Sequence, residues 1–363
     1  MSASPTPRRL GNAILAAAMT LPCLHNAQAD SPPEQGQISY RYLDYRESQP
    51  DADRISVKAH ALALSAPLNE SWSLDASLTT DTVSGASPAW WTKNLNTMHD
   101  ERNAGDITLT HYLPHDTVGV NASLSRENDY ESRSLSLSGS HSSDDKNITW
   151  HYGVGGSADH ITSMGLDEDK QVINFLLGVT RVVSTKDIIQ ANLTYSSGHG
   201  YYSDPYKLAD NRPRNRHQTA LLTRWNHHLE ELGHTIHLNY RYYRDDWGVQ
   251  AHTLGAEYVV PLNEGWTLTP SLRLHTQGKA DFYVDEVNFP SADTYHSQDQ
   301  RLSALGALTL GIKLSKQISD LWSGDVKLER YEQRGSWYLG GDGSPDLAAF
   351  RATFLQFGLT RKF

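Results

Sequence analysis

The sequence predicts an all-β fold: a single transmembrane antiparallel up-and-down β-barrel of about sixteen strands, fourteen being the lower count, with both termini periplasmic. Three observations carry this. Apolar and polar residues alternate with period two along most of the chain, short turns alternate with longer polar loops, and the last strand ends on an aromatic residue, Phe363. A soluble secreted sandwich or propeller explains neither the two loop populations nor Phe363.

The chain has 363 residues, 38% of them hydrophobic, and a mean hydropathy of -0.55. No run approaches the roughly 18 apolar residues of a membrane helix; the longest after the N-terminus, Val172 to Val179, is interrupted by Asn174. A helical membrane protein is therefore excluded, whereas a barrel strand, half of it polar, escapes hydropathy. Arg8 and Arg9 precede an apolar stretch from Leu10 to Leu24, and Ala27-Gln28-Ala29 gives the small-x-small pattern of signal-peptidase cleavage. Residues 1–29 are read as a signal peptide and 30–363 as the barrel. Pro22, directly before Cys23, argues against lipidation of that cysteine, and beyond residue 29 there is no thiol for a disulfide. The net charge of -10 becomes more acidic once Arg8 and Arg9 are removed, so nucleic acid is excluded as a partner.

The strands follow in order. Trp72, Leu74, Ala76 and Leu78 alternate with Ser73, Asp75 and Ser77; Val118, Val120, Ala122 and Leu124 alternate with Asn121 and Ser123. Ile189, Ala191, Leu193 and Tyr195 repeat the pattern, as do Leu302 to Ile312. Short turns are read near 67–70, 114–116, 143–147, 184–187, 230–233, 261–265 and 317–321. Longer loops are read near 46–53, 84–105, 126–132, 160–170, 197–216, 244–250, 284–300 and 333–347. Seven turns and eight loops join sixteen strands, the weakest being those around 106–113 and 132–139. Pro67-Leu68-Asn69-Glu70-Ser71-Trp72 recurs as Pro261-Leu262-Asn263-Glu264-Gly265-Trp266, one turn solution used twice. Leu355, Phe357, Leu359 and Phe363 share one face and resemble the aromatic-ended last strand that the barrel-assembly machinery recognises, and are read as a barrel-assembly signal. Arg361 interrupts that face and is read as snorkelling at the interface. Tryptophans such as Trp150, Trp225, Trp266 and Trp322 fall toward strand ends, as an aromatic girdle requires.

Several loop motifs carry a family resemblance. Val83-Ser84-Gly85-Ala86-Ser87-Pro88, Gly200-Tyr201-Tyr202-Ser203-Asp204-Pro205-Tyr206-Lys207 with Arg212-Pro213, and Arg241-Tyr242-Tyr243-Arg244-Asp245-Asp246-Trp247-Gly248 with His252-Thr253 are three of them. Ala280-Asp281-Phe282-Tyr283, Asp299-Gln300-Arg301-Leu302-Ser303 and Tyr331-Glu332-Gln333-Arg334 complete the set. Together they resemble domain-of-unknown-function family 3570. The resemblance implies an exported outer-membrane barrel of Gram-negative bacteria, with no catalytic residues to carry over. It further implies the company of exported redox and flavin-transfer proteins, a matter of pathway and not of chemistry.

Chemistry-bearing motifs are few. There is no nucleophile elbow, HExxH, P-loop or dinucleotide fingerprint, and no cofactor, metal or catalytic site is expected. His234 and His237, three apart on a strand, point to opposite faces and cannot chelate together. The stretch from Gly340 to Asp346 resembles a calcium-binding nonapeptide, but Pro345 stands where its aspartate belongs. His99 and Asp100, His115 and Asp116, and Asp159 and His160 are adjacent on extended chain and so diverge. The better candidates are loop residues placed at an extracellular surface or constriction: Asp204, Tyr206, Arg212, Arg214, Arg216, Arg241, Arg244, Asp245, Asp246 and Trp247. A self-satisfying salt-bridged lattice is the plainer reading of the same set. With the apolar set outward, Lys58, His60, Asp75, Asp81, His151, His237, Arg241, Arg273, His275, Lys313, Asp325, Lys327 and Glu329 are expected to line the lumen.

The expected function is a porin-like passive channel for small polar solutes or ions in the cell outer membrane. The alternative is a structural or docking barrel for a periplasmic redox or surface-assembly partner. Expected partners are outer-membrane lipids and the barrel-assembly machinery; the protein is not expected to be an enzyme. Intact-mass measurement of the exported protein should show cleavage after Ala29; an uncleaved chain would overturn the domain division.

Overall fold

A β-strand offers a row of N–H and C=O groups on each edge, and in hydrocarbon neither row finds water, so strands that cross a membrane must pair all the way round. The computed structural model describes residues 31–49, 52–87, 96–205, 210–285, 294–345 and 347–363. The expected signal peptide, Pro88, Tyr206, Lys207 and Asp346 lie outside them. Sixteen strands run in chain order: β1 (Gln37–Gln49), β2 (Ala52–Asn69), β3 (Trp72–Ser87), β4 (Asn96–Tyr112), β5 (Asp116–Arg126), β6 (Tyr130–Ser142), β7 (Ile148–Ile161) and β8 (Glu168–Val182). They continue as β9 (Asp187–Gly200), β10 (Asn215–Leu229), β11 (His234–Asp245), β12 (Gln250–Pro261), β13 (Trp266–Gln277), β14 (Leu305–Gln317), β15 (Trp322–Arg334) and β16 (Phe350–Lys362). Each pairs antiparallel with its chain neighbours, and β16 returns to β1 with Tyr42 opposite Phe357, closing the barrel. The strands expected to be weakest are full length, β4 with 17 residues and β6 with 13, so the count is sixteen and not fourteen.

All seven short turns lie at one end. At the other end two expected long loops are tight hairpins, because β6 begins at Tyr130 and β11 ends only at Asp245, and in a third β1 and β2 stay paired as far as Gln49 and Ala52. Length concentrates instead in 201–214, 278–304 and 335–349. The repeated turn sequence is also two structures. Glu264 and Gly265 both take positive φ, 58° and 74°, the type I′ geometry that glycine permits. Ser71 replaces that glycine in the first copy, where the Asn69 side chain instead accepts from the Ser71 N–H at 2.9 Å.

Pairing register sorts the side chains into two faces. Leu78, Ile107, Leu135, Phe175, Leu193, Leu254, Leu310 and Phe357 share the outer face and are exposed, an apolar band that only lipid satisfies. Trp150, Trp225, Trp266 and Trp322 stand on that face toward the short turns. Arg361 lies over the Trp322 ring at 5.6 Å. Leu355, Phe357 and Leu359 face outward on β16, and the Phe363 N–H donates to Gly36 at 2.9 Å.

Lys58 and His60 are corrections. They stand on the outer face, opposite Asp44 and Tyr42, and the Tyr40 hydroxyl meets His60 Nδ1 at 2.7 Å. On β2 the inward residues Val57, Ala59 and Ala61 are apolar and the outward face mixes Lys58 and His60 with Leu62, so alternation points the polar residues the wrong way.

Leu193→Arg or Leu310→Arg, mid-strand in the apolar band, should cost about 2 to 4 kcal/mol, whereas the inward Asn192→Arg should be tolerated. Unfolding of the refolded protein in detergent, followed by the heat-dependent gel shift of a closed barrel, checks both; equal costs on the two faces would contradict the membrane assignment.

Candidate functional site

The inner face divides into two walls. Over β5 to β7 it is built of small hydroxyls that bond across strands, Ser123 to Ser134 and Thr117 to Ser140 both at 2.7 Å. Over β11 to β16 it is charged. Register turns Arg273, Lys313, Asp325, Lys327 and Glu329 inward, with Asp75 on β3. Asp325 holds Arg41 at 3.1 Å and Lys327 holds Glu329 at 3.0 Å. His151, His237 and His275 also face inward and bond Thr180, Asn226 and Thr253. A cavity of about 480 Å³ lies between the walls, lined by Ser134, Ser136, Ser138, Thr194, Arg241 and Tyr243 among others.

Above this cavity the long connections turn inward and form a roof. Trp247, Ala280, Phe282, Tyr283 and Leu302 make a buried apolar cluster, with Trp247 only 2% exposed. Tyr202 and Phe282 meet the Trp247 ring edge-on at 5.3 and 5.2 Å. Backbone bonds stitch the segments together: Asp281 N–H to Trp247 O at 2.8 Å, Ala280 N–H to Leu302 O at 2.8 Å, His296 N–H to Asn211 O at 2.8 Å and Ser344 N–H to Ala304 O at 3.0 Å. The roof is held from inside the barrel. Inward Gln277 donates to the carbonyls of Arg301 and Ser303 at 2.9 Å, and inward Arg216 lies 4.1 Å from the Trp247 ring centre. Gly248, at φ 89°, is required where a Cβ would strike the Asp281 carboxylate. A second apolar cluster, Leu43, Tyr45, Val57, Val83 and Phe350, buries the inward long-loop ends of β1, β2, β3 and β16.

An ionic network ties two roof segments. Arg212 reaches Asp210 at 2.7 Å and Asp299 at 2.8 Å, and Arg301 pairs with Asp299 and, at 3.5 Å, with Asp204. Burial works against the Arg212 guanidinium, but Asp299 and Asp210 outweigh it and raise its pKa above the ordinary arginine value. The structure thus places Asp204 and Arg212 inside the roof, not on a free pore edge. Arg216 is fixed to Asp245 at 2.7 Å; Asp245 also accepts from the N–H groups of Trp247 and Val249. Arg214, half exposed, pairs with Glu168 at 2.6 Å, and Asp246 accepts from the His217 N–H at 2.9 Å. Arg241 alone of this set opens onto the cavity. Arg244 stands on the outer face of β11 with Tyr242, in register with Thr219, so it cannot belong to a constriction. Sequence reasoning missed Asp210, Asp299 and Arg301, although Asp299 and Arg301 lie in a motif it quoted.

Among the described residues no cluster of three or more His, Cys, Asp or Glu could hold a metal. Asp159 faces inward to Lys170 at 2.8 Å while His160 faces outward to Asp169 at 2.9 Å. Asp116 bonds His141 and not His115, and the His99 side chain lies outside the described residues.

Arg212→Ala would leave the buried Asp210 without its ion-pair partner and take one of two arginines from Asp299, a loss of about 3 to 5 kcal/mol confined to the roof. Hydrogen exchange should rise in 201–214 and 294–304 while the strands stay protected; unchanged exchange there would contradict the network's role.

No curated protein matches the chain by sequence. Among solved structures it is similar to CdiB from Acinetobacter baumannii, with 9% identity and a TM-score of 0.52 over 89% of this chain and 60% of that one. It is also similar to a bacterial polysaccharide outer membrane secretin, with 9% identity and a TM-score of 0.51 over 90% and 98%. The siderophore receptor PirA from Pseudomonas aeruginosa matches at 10% identity and a TM-score of 0.48, over 84% of this chain but only 57% of the receptor. The first two likenesses speak to the fold, that of outer-membrane β-barrels. The family model "Protein of unknown function (DUF3570)" matches residues 11–97, 94–168 and 162–354, so the chain belongs to the DUF3570 family.

Proposed function

We propose that the protein is a passive channel for small polar solutes in the outer membrane of a Gram-negative bacterium, narrowed at its long-loop mouth by the roof. The observation that carries this reading is the polar, hydroxyl-rich and charged inner face around a 480 Å³ cavity, inside a barrel whose outer face is apolar. A sixteen-strand barrel is wide enough for water to fill whatever its loops leave open. The reading includes export by a cleaved 1–29 segment, assembly through the barrel machinery by way of the β16 face, and both termini with the seven short turns on the periplasmic side, as in short-turn barrels generally. It involves no catalytic step.

A docking barrel for a periplasmic redox or surface-assembly partner is the second reading. What favours it is the close stitching of the roof, whose Arg212, Asp210 and Asp299 side chains are at most 9% exposed.

The two readings separate in planar bilayers. The refolded protein should conduct, and deleting 201–214, which removes Arg212 and one side of the roof, should raise the conductance. Silence from both proteins would end the channel reading and leave the docking barrel.

A further inference from the structure

Two inward arginines differ from the rest. Arg41 is paired with Asp325, Arg54 with Glu47, Arg102 with Asp81 and Arg216 with Asp245, while Arg224 donates to Gln190. Arg241 on β11 and Arg273 on β13 have, among the described residues, neither an ion pair within 4.0 Å nor a hydrogen bond to a side chain. They flank β12, whose inward residues between them are Thr253 and Gly255, with Gly255 in register with Arg273 and Thr253 with Arg241. Register sets the two like charges two strands apart and one inward position out of step on the same wall, an arrangement that repels unless an anion lies between.

The surroundings supply hydrogen-bond donors and withhold counter-charge. Arg241 forms part of the cavity wall and is braced by the Tyr243 ring, 5.1 Å from its guanidinium carbon. Facing it are the hydroxyls of Ser134, Ser136, Ser138 and Thr194. Carboxylates lie further toward the short turns: Glu329 is held by Lys327 at 3.0 Å, and Glu257, next inward after Gly255, pairs with neither arginine. Asp245, on the roof side, is held by Arg216. A guanidinium offers five donors in a fork matched to carboxylate and phosphate oxygens, and hydroxyls opposite suit the hydroxyls of a small polyol acid. The cavity has the size of a small-molecule site.

We propose that this chamber extends past Arg241, on its wall, to Arg273, two strands beyond the lining, and is an oxyanion-binding station, the two arginines holding the carboxylate or phosphate of a small hydroxylated solute while the serine wall holds its hydroxyls. The inference rests on the channel reading for its biological sense, but binding does not require conduction.

The test titrates the refolded full-length mature protein in detergent with sodium gluconate, inorganic phosphate and uncharged glucose by calorimetry. Gluconate or phosphate should bind at least tenfold more tightly than glucose, the better of the two naming the anion class. The Arg241→Gln/Arg273→Gln variant should lose at least tenfold, with Glu257→Gln unaffected or tighter. If the double variant fails to fold by heat-dependent gel shift, Arg241→Lys, which keeps the charge but loses the fork, should weaken binding by a smaller factor. Neither anion exceeding glucose, or binding unchanged in the arginine variants, would overturn the proposal even if the protein conducts. Arginine-dependent binding in a non-conducting protein would uphold it while ending the channel reading.

Discussion

Closure governs this molecule. Every backbone group that crosses lipid must find a partner within the protein, and the β1–β16 seam removes the last free edge. Once the ring is closed, parity follows. A residue faces lipid or lumen according to its place in the register, and one misjudged step inverts a whole strand. The apolar band, the serine wall and the charged wall are consequences of that single constraint acting on a sequence with period-two alternation. The absence of thiols beyond residue 29 costs nothing, since a closed ladder needs no crosslink.

What was legible in the sequence is what depends on local pattern. The alternation through Leu74, Leu124, Leu193 and Leu310 gave strands and faces, and the seven short turns gave the count. The pattern failed on β2, where small apolar residues fill the inner face against Tyr45 and Phe350, and there Lys58 and His60 were turned the wrong way. It failed again at the repeated turn, where one substitution, glycine to serine, selects a different backbone.

The roof was not legible because its contacts are not local. Arg212 meets Asp299 across 87 positions, and Trp247 meets residues of the 278–304 segment, so no spacing rule connects them. Residues of four quoted motifs, Asp204 and Arg212, Asp245 and Trp247, Ala280 and Phe282, and Asp299 and Arg301, converge on this one structure. Loop motifs that look like a binding surface in sequence are here mostly an internal brace. Free charge lies one layer below, on strands, in Arg241, which opens one of those motifs, and in Arg273, which belongs to none of them.

The unequal strands have a consequence for how anything reaches the barrel. β2 and β4 have 18 and 17 residues, against 12 for β11, β12 and β13. At about 3.3 Å per residue and the usual tilt, the longer strands carry the wall on the order of 15 Å farther. The roof springs largely from the low side, after β9, β11 and β13, so the molecule ends in a parapet with an awning opposite it. A body approaching that end of the barrel would touch the parapet first, and on the proposed channel reading a solute would pass obliquely beneath the awning and meet the chamber from the side.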